Sequence, residues 1–169
     1  MVDVFAADEQ SEEAVDVARW ADLARHVLHA QGARDEVEVT LLFVDEPTIA
    51  ELHERFLGEP GPTDVLAFPV EEEPERGGRY PDEGGTGPGG ALPSEEDEIP
   101  VLLGDVVICP AVAARNAAER GGNLEDETAL LVVHGLLHLL GMDHDEDVEA
   151  EQMERREREL LARFHVGGP

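Results

Sequence analysis

The chain has 169 residues, of which 41% are apolar and 31% are charged, and its formal net charge is −28. This composition is typical of a globular protein, and it excludes a wholly disordered chain and a membrane-embedded one. We expect a single domain over residues 1–169, because this length is sufficient to bury a sizeable core.

The first half of the chain is predicted to alternate strands with helices. Hydrophobic periodicity, proline and glycine place these elements at residues 2–5 (strand), 11–30 (helix), 37–44 (strand), 45–57 (helix) and 65–68 (strand). Gly32 and Gly58 lie just past the two helices, as is usual at helix ends. The buried stripe of the second helix is expected to consist of Ile49, Leu52, Phe56 and Leu57. Three histidines are expected to lie at the surface: His26, His29 and His53.

In the second half of the chain, a segment with almost nothing to bury precedes the remaining elements. Residues 71–100 consist largely of Glu, Gly and Pro, which predicts a flexible acidic loop inside the domain. A strand over 102–109 and helices over 110–120, 123–140 and 148–164 follow. The helix that begins after Asn123 is apolar around nearly its whole circumference, so we expect it to be central.

The N-terminus and the single cysteine limit the cell compartment. No basic segment precedes an apolar one at the N-terminus, and no apolar run reaches the length of a membrane span. We therefore expect a cytoplasmic protein that does not engage a membrane. Cys109 alone cannot form an intrachain disulfide, and its apolar surroundings predict a buried structural thiol.

The charge is unusual because the chain contains no lysine, so that every fixed positive charge belongs to an arginine. Two interpretations are open. One is solubility, or life at high intracellular salt, where self-repulsion is screened. The other is avoidance of anionic partners.

Three histidines in the segment HGLLHLLGMDH have the spacing of a metal site. On a helix, His134 and His138 are about 40° apart around the axis and about 6 Å apart along it, so both rings can face one point. Gly141 can adopt the left-handed conformation that ends a helix, which would let His144 return to the same point. Burying three imidazoles is costly unless each is satisfied, and neutral imidazoles suit zinc. The sequence therefore predicts one Zn²⁺ ion held by His134, His138 and His144.

Three protein ligands are typical of a catalytic zinc site, which keeps one position open for water. Asp143 or Asp145 could be a fourth ligand or could orient a histidine, and the spacing does not decide between these roles. Zinc peptidases of related spacing carry a glutamate base directly after the first histidine, where this chain has Gly135. Cleavage of RNA suits a site without that base, because the 2′-hydroxyl of the substrate can act as an internal nucleophile.

Three segments of the chain resemble the YbeY family of bacterial endoribonucleases. Residues 134–144 follow the family signature H-G-x-L-H-L-x-G-x-D-H, residues 62–69 (PTDVLAFP) resemble P-T-D-V-L-S-F-P, and residues 103–108 (LGDVVI) resemble L-G-D-I-x-I. The resemblance implies an α+β fold, with a mixed sheet of about four strands covered by helices and one zinc ion on the three histidines. It also implies a single-strand-specific endoribonuclease that matures the 3′ end of small-subunit rRNA and acts in ribosome quality control. The implied partners are RNA and the ribosome or ribosomal proteins.

The chain departs from the family pattern at two positions and in its charge. Ala67 replaces a frequent serine, and Leu57 lies where many members carry an arginine that faces the cleft. The catalytic residues other than the metal ligands are therefore unassigned. RNA affinity comes largely from cations that neutralise phosphates, which conflicts with a charge of −28. Our hypothesis is that RNA binding relies on a few arginines plus the metal, or on a ribosomal partner that supplies a basic surface.

Two other interpretations compete with a nuclease. The first is a metallopeptidase or other metallohydrolase, in which a carboxylate such as Asp64 or Asp105 enters the site in place of the missing glutamate. The second is a ribosome-associated assembly module whose metal is structural. Metal content and hydrolysis of RNA or casein would separate them.

Overall fold

The computed structural model describes residues 2–32, 37–70, 101–141 and 147–165. In these ranges, four strands form one sheet: β1 Val2–Asp8, β2 Val37–Phe43, β3 Val65–Pro69 and β4 Val101–Ile108. Five helices accompany them: α1 Val17–Ala30, α2 Glu46–Leu57, α3 Pro110–Glu119, α4 Leu124–Leu139 and α5 Asp147–Phe164. The predicted α+β class and the number of strands are confirmed.

The sheet is mixed, with the strand order β1-β2-β4-β3. β1 pairs with β2 and β2 with β4 in parallel, whereas β3 pairs with β4 in the antiparallel direction. β3 and β1 therefore form the two edges. The sheet is predicted correctly as a mixed one, although its strand order could not be read from the sequence.

The two faces of the sheet carry two apolar clusters. Val106 and Ile108 of β4 lie in the larger cluster together with α1, α4 and α5, while Val107 and Cys109 lie in the smaller cluster with Ile49 of α2. This alternation arises because successive side chains along a strand point to opposite faces of the sheet. α4 is the most buried helix, as its apolar circumference predicts, and it places the histidines at the edge of the larger cluster.

Local capping signals explain the helix boundaries that were predicted correctly. The Asp45 carboxylate accepts a hydrogen bond of 3.0 Å from the Thr48 amide at the start of α2. Hydrogen bonding from the Thr48 side chain, and then from this amide, lowers the pKa of Asp45. Gly58 ends α2 in the left-handed conformation, with φ of 72°. Asn123 caps α4 through a bond of 2.7 Å from the Asp126 amide to its side-chain oxygen.

The first helix begins later than predicted, at Val17 and not at Ser11. The side-chain oxygen of Gln10 accepts hydrogen bonds from the amides of Glu12 and Glu13, at 2.9 and 3.0 Å, and so competes with a helical turn there. Asp16 then caps α1 by accepting from the Arg19 amide. The first strand is longer than predicted because it pairs with β2 along its whole length, to Asp8.

The predicted buried stripe of α2 is only partly correct. Ile49 is fully buried and Leu52 is half-buried, but Phe56 and Leu57 are 58% and 56% exposed. Phe56 instead contacts the ring of Phe68 edge-on, with 5.3 Å between the centroids. The last turn of α2 therefore extends beyond the smaller apolar cluster.

The histidines outside the predicted metal site are less uniform than expected. His26 and His29 are exposed, as predicted. The prediction of a surface position was wrong for His53, whose side chain is only 14% exposed. Its Nδ1 lies 2.9 Å from the carbonyl oxygen of Gly61, and its Nε2 lies 3.2 Å from a carboxylate oxygen of Glu59. These contacts stabilise the turn after α2.

Cys109 is fully buried, as predicted, and burial raises the pKa of its thiol. The predicted loop over 71–100 lies outside the described residues. Among the helices that the structure does describe, none is long and apolar enough to cross a membrane.

A bulge in β4 brings the sheet close to the end of α4. The pairing of β2 with β4 moves from Leu102 to Gly104 across one step of β2, so Leu103 is left over. Gly104 has φ of +137°, and a Cβ built on it would lie 2.3 Å from the Phe68 carbonyl oxygen and 3.1 Å from a methyl of Leu139. Only glycine fits there.

Candidate active site

His134 and His138 are placed by α4 on one side of the molecule, as their spacing predicts. Both are half-buried, whereas Val133, Leu136 and Leu137 between and beside them are fully buried. The apolar residues anchor α4 in the core, and the two imidazoles lie at its edge. Because they are four residues apart on a packed helix, their separation is fixed by a rigid element.

The two imidazoles lie near each other, slightly farther apart than two rings bound to one zinc ion. Their ring centroids are 6.5 Å apart and their planes are inclined by 85°. A zinc ion bound about 2.0–2.1 Å from a ring nitrogen lies roughly 3.2 Å from that ring's centroid, so two rings on one ion are at most about 6.4 Å apart. At the tetrahedral angle usual for zinc, the two centroids would be about 5.2 Å apart, so the side chains must rotate to bring the rings roughly 1 Å closer before they can share an ion.

The third predicted ligand, His144, lies outside the described residues, together with Asp143 and Asp145. Within the described ranges, no group of three candidate metal ligands comes together. The assignment of His134, His138 and His144 as the complete ligand set therefore stays a prediction, and so does the role of either aspartate.

A carboxylate that the sequence analysis did not identify contacts the site. Oε2 of Glu157 in α5 lies 2.6 Å from Nδ1 of His134. His134, Ala150, Met153, Glu154 and Glu157 line a depression of about 390 Å³ between α4 and α5. The sequence signal that could have identified Glu157 is its position on the apolar stripe of α5, four residues after Met153 and three before Leu160, where a charged residue is unusual.

Gly135 explains why the peptidase glutamate is missing. A Cβ built on Gly135 would lie 2.6 Å from one methyl of Val106 and 3.1 Å from the other. Gly135 thus faces β4 and lets α4 approach the sheet closely, so a glutamate at this position would be directed into the core and not toward a metal. The local packing therefore disfavours a zinc peptidase.

The two carboxylates considered as substitutes for that glutamate have other positions. Asp105 is exposed and pairs with Phe68, which packs on the α2 face of the sheet, opposite α4. The Asp64 carboxylate accepts a hydrogen bond of 3.2 Å from the side-chain amide of Asn116 in α3. Neither contacts His134 or His138 in the described part of the chain.

Asp64 instead belongs to a polar group between α3 and the start of α4. Glu127 is buried there, and burial raises its pKa; the guanidinium of Arg120 opposes this shift, while the charge of Asp64 adds to it. Arg120 donates a hydrogen bond to Glu127. This group of polar side chains holds α3 against α4. It also compensates the buried charge of Glu127, which lies two turns before His134.

Comparison with known proteins shows the class of this chain. Residues 5–165 match the family described as endoribonuclease YbeY, which places the chain among the nucleases, a class of hydrolases. An endoribonuclease YbeY of Beutenbergia cavernae is 45% identical over 158 residues, covering 94% of this chain and 95% of that protein. One from Acidothermus cellulolyticus is 46% identical over 152 residues, covering 90% and 85%. The chain therefore belongs to the endoribonuclease YbeY family.

The fold also resembles a solved structure. The solution structure of a Thermotoga maritima protein matches with a TM-score of 0.55 and 24% identity, covering 97% of this chain and 91% of that one. At this identity, the likeness supports the α+β fold and nothing more.

Proposed function

We propose that this protein is a zinc-dependent, single-strand-specific endoribonuclease that matures the 3′ end of small-subunit rRNA and acts in ribosome quality control. The observation that carries the proposal is the pair His134 and His138, which one buried helix holds on the same side with ring centroids 6.5 Å apart. Membership in an endoribonuclease family supports RNA as the substrate. We place this activity in the cytoplasm, with the ribosome or ribosomal proteins as further partners.

The residues of the site have separate tasks in this proposal. His134, His138 and His144 would hold the zinc ion, which when bound supplies Lewis-acid stabilisation of charge on the phosphoryl group. The apolar residues of α4 keep the imidazoles at a fixed separation, and Gly135 brings that helix close to β4. Neither Asp64 nor Asp105 takes the place of a peptidase base, which suits a substrate whose own 2′-hydroxyl can be the nucleophile.

Removal of zinc tests the proposal directly. The purified protein is expected to contain about one zinc ion per chain and to cleave single-stranded RNA but not duplex RNA or casein. A chelator should abolish cleavage, and added Zn²⁺ should restore it. Metal analysis and gel assays provide the measurements. Cleavage of casein would support a peptidase, and unfolding on chelation without any RNA cleavage would support an assembly module with a structural metal.

The structure bears on how an acidic protein could bind RNA. At least four arginines are already paired with carboxylates and so offer little net positive charge to a phosphate. These pairs are Arg25 with Asp22, Arg115 with Glu46, Arg120 with Glu127, and Arg156 with Glu159. Arg115 and Arg120, the two arginines of the alanine-rich region, are both in this group.

Two arginines of α5 are better candidates for contacts to phosphate. Arg155 and Arg158 are exposed, lie one turn apart, and make no ion pair within the described ranges. They belong to the same helix as Glu154 and Glu157, which line the depression beside His134. They could therefore bind a strand that enters the site, although only as a small number of cations.

A shallow salt dependence of RNA affinity is the expected consequence. Each phosphate contact to a single strand contributes about −0.7 to the slope of log K against log salt, so two or three contacts give a slope no steeper than about −2. Fluorescence anisotropy with a short single-stranded RNA would measure it. Arg158→Ala should make the slope shallower still, whereas Arg25→Ala, which removes an arginine already paired with Asp22, should not change it. A slope much steeper than −2 would contradict binding by a few arginines.

A further inference from the structure

Glu157 is a buried carboxylate on the otherwise apolar buried stripe of α5. It is 7% exposed, and Met153 and Leu160, one turn away on either side, are each 1% exposed. Burying an ionisable group is costly unless it is paired or hydrogen-bonded. The position of Glu157 on this stripe therefore requires a specific partner.

The partner is His134 of α4. A carboxylate only accepts hydrogen bonds, so at 2.6 Å the Nδ1 of His134 carries the proton and donates it to Oε2 of Glu157. This fixes the tautomer and the rotation of the ring, and it assigns Nε2 as the nitrogen for metal binding. Histidines that bind zinc commonly donate their second N–H to a carboxylate in this way.

The helix that carries Glu157 is itself held in place. Arg156 donates hydrogen bonds to the side chain of Gln31 and, at 3.4 Å, to the Ala30 carbonyl oxygen at the end of α1. Met153 and Leu160 belong to the larger apolar cluster. Glu157 thus lies on a rigid element that is fixed on both sides, which is what orientation of a ligand requires.

We propose that Glu157 is a positioning residue, which orients the His134 imidazole and thereby raises the affinity of the site for zinc. The inference rests on the proposed function, since it takes His134 to be a zinc ligand. It assigns to the C-terminal helix a role in the metal site in addition to covering the core. The competing explanation is a hydrogen bond that only joins α4 to α5.

Zinc affinity of three variants tests this role. In a competition titration of the 169-residue chain with a chromophoric chelator, Glu157→Ala should bind Zn²⁺ about 10–100-fold more weakly than the unmodified chain. Glu157→Gln keeps a hydrogen-bond acceptor without the charge, so its loss should be smaller. Glu151→Gln is the matched control, because Glu151 is exposed on the same helix and does not line the depression. It should bind zinc as the unmodified chain does.

A spectroscopic measurement separates orientation from simple stabilisation. In long-range ¹H–¹⁵N spectra of the zinc-loaded protein, the His134 ring should carry its proton on Nδ1, and this proton should exchange faster with water in Glu157→Gln. Unfolding of the zinc-free variants, followed by circular dichroism with chelator present, reports the structural contribution alone. If Glu157→Ala does not fold, the Glu157→Gln data decide the outcome.

The outcomes distinguish failure of this inference from failure of the proposed function. Equal zinc affinity of the unmodified chain and Glu157→Gln, with Nδ1 of His134 bound to the metal, would overturn the positioning role. So would reduced stability of the zinc-free variant with no change in zinc affinity. An unmodified chain that binds no zinc would instead overturn the proposed function.

Discussion

Replacing His138 with alanine is expected to lower the rate of RNA cleavage by at least about 100-fold while leaving the fold intact. Loss of a residue that only supports a metal ligand costs about 10–100-fold in affinity or activity, and loss of a ligand itself should cost at least as much. His138 is half-buried at the edge of α4, between Leu137 and Leu139, which pack inward. Alanine also favours the helix. The core should therefore tolerate the change.

Cleavage of single-stranded RNA, zinc content and the unfolding transition should be measured together on this variant. His29→Ala is the matched control, because His29 is exposed in the last turn of α1 on a different helix. It should retain both zinc and activity. Accumulation of precursor rRNA in cells that carry only the His138→Ala variant would connect the chemistry with maturation. Full cleavage by a variant that has lost its zinc would refute a catalytic metal.

The second large effect is expected at Gly135, where an added methyl group should destabilise the fold by about 2 kcal/mol. In an exposed helix, the change from glycine to alanine would be favourable by about 1 kcal/mol. Here the new Cβ would lie 2.6 Å from a methyl of Val106, which is fully buried and whose branched side chain has little freedom to move. The steric term should therefore outweigh helix propensity. Denaturant unfolding monitored by circular dichroism measures the difference.

A double-mutant cycle identifies the cause of that loss. In a Val106→Ala background the crowding methyls are absent, so Gly135→Ala should become neutral or slightly stabilising. Gly122→Ala is the control for the substitution itself, since the nearest atom to its Cβ would be the Ala117 carbonyl oxygen at 3.8 Å. A similar loss at Gly135 in both backgrounds would show that contact with Val106 is not the reason for glycine there.

The sequence predicted best the elements whose boundaries depend on local interactions. Gly58 and Asn123 act within one turn of their helices, and each was found at its predicted place. The start of α1 was predicted wrongly because the side chain of Gln10 competes for the same amides, and a pattern of apolar residues does not record such competition.

Parts of the site that depend on distant contacts could not be predicted in the same way. The spacing of His134 and His138 lies within a single helix, so their common side follows from helical geometry alone. Glu157 is 23 residues after His134, and its role depends on how α5 packs against α4. For Gly135, the sequence showed that the glutamate was missing, but the reason became visible only when Val106 was placed against α4.

The antiparallel pairing of β3 with β4 affects how insertions can be accommodated between them. Pro69 is paired with Gly104, and the amide of Val70 donates a hydrogen bond of 3.1 Å to the Leu103 carbonyl oxygen. The chain thus leaves the sheet at the end of β3 and re-enters it at the start of β4, at adjacent points. The distance between these two points is the same whatever the length of chain that joins them. Each doubling of such a length adds only about 0.6 kcal/mol of closure entropy. Evolution can therefore lengthen or shorten this junction at small thermodynamic cost, provided that the pairing of Pro69 with Gly104 is kept.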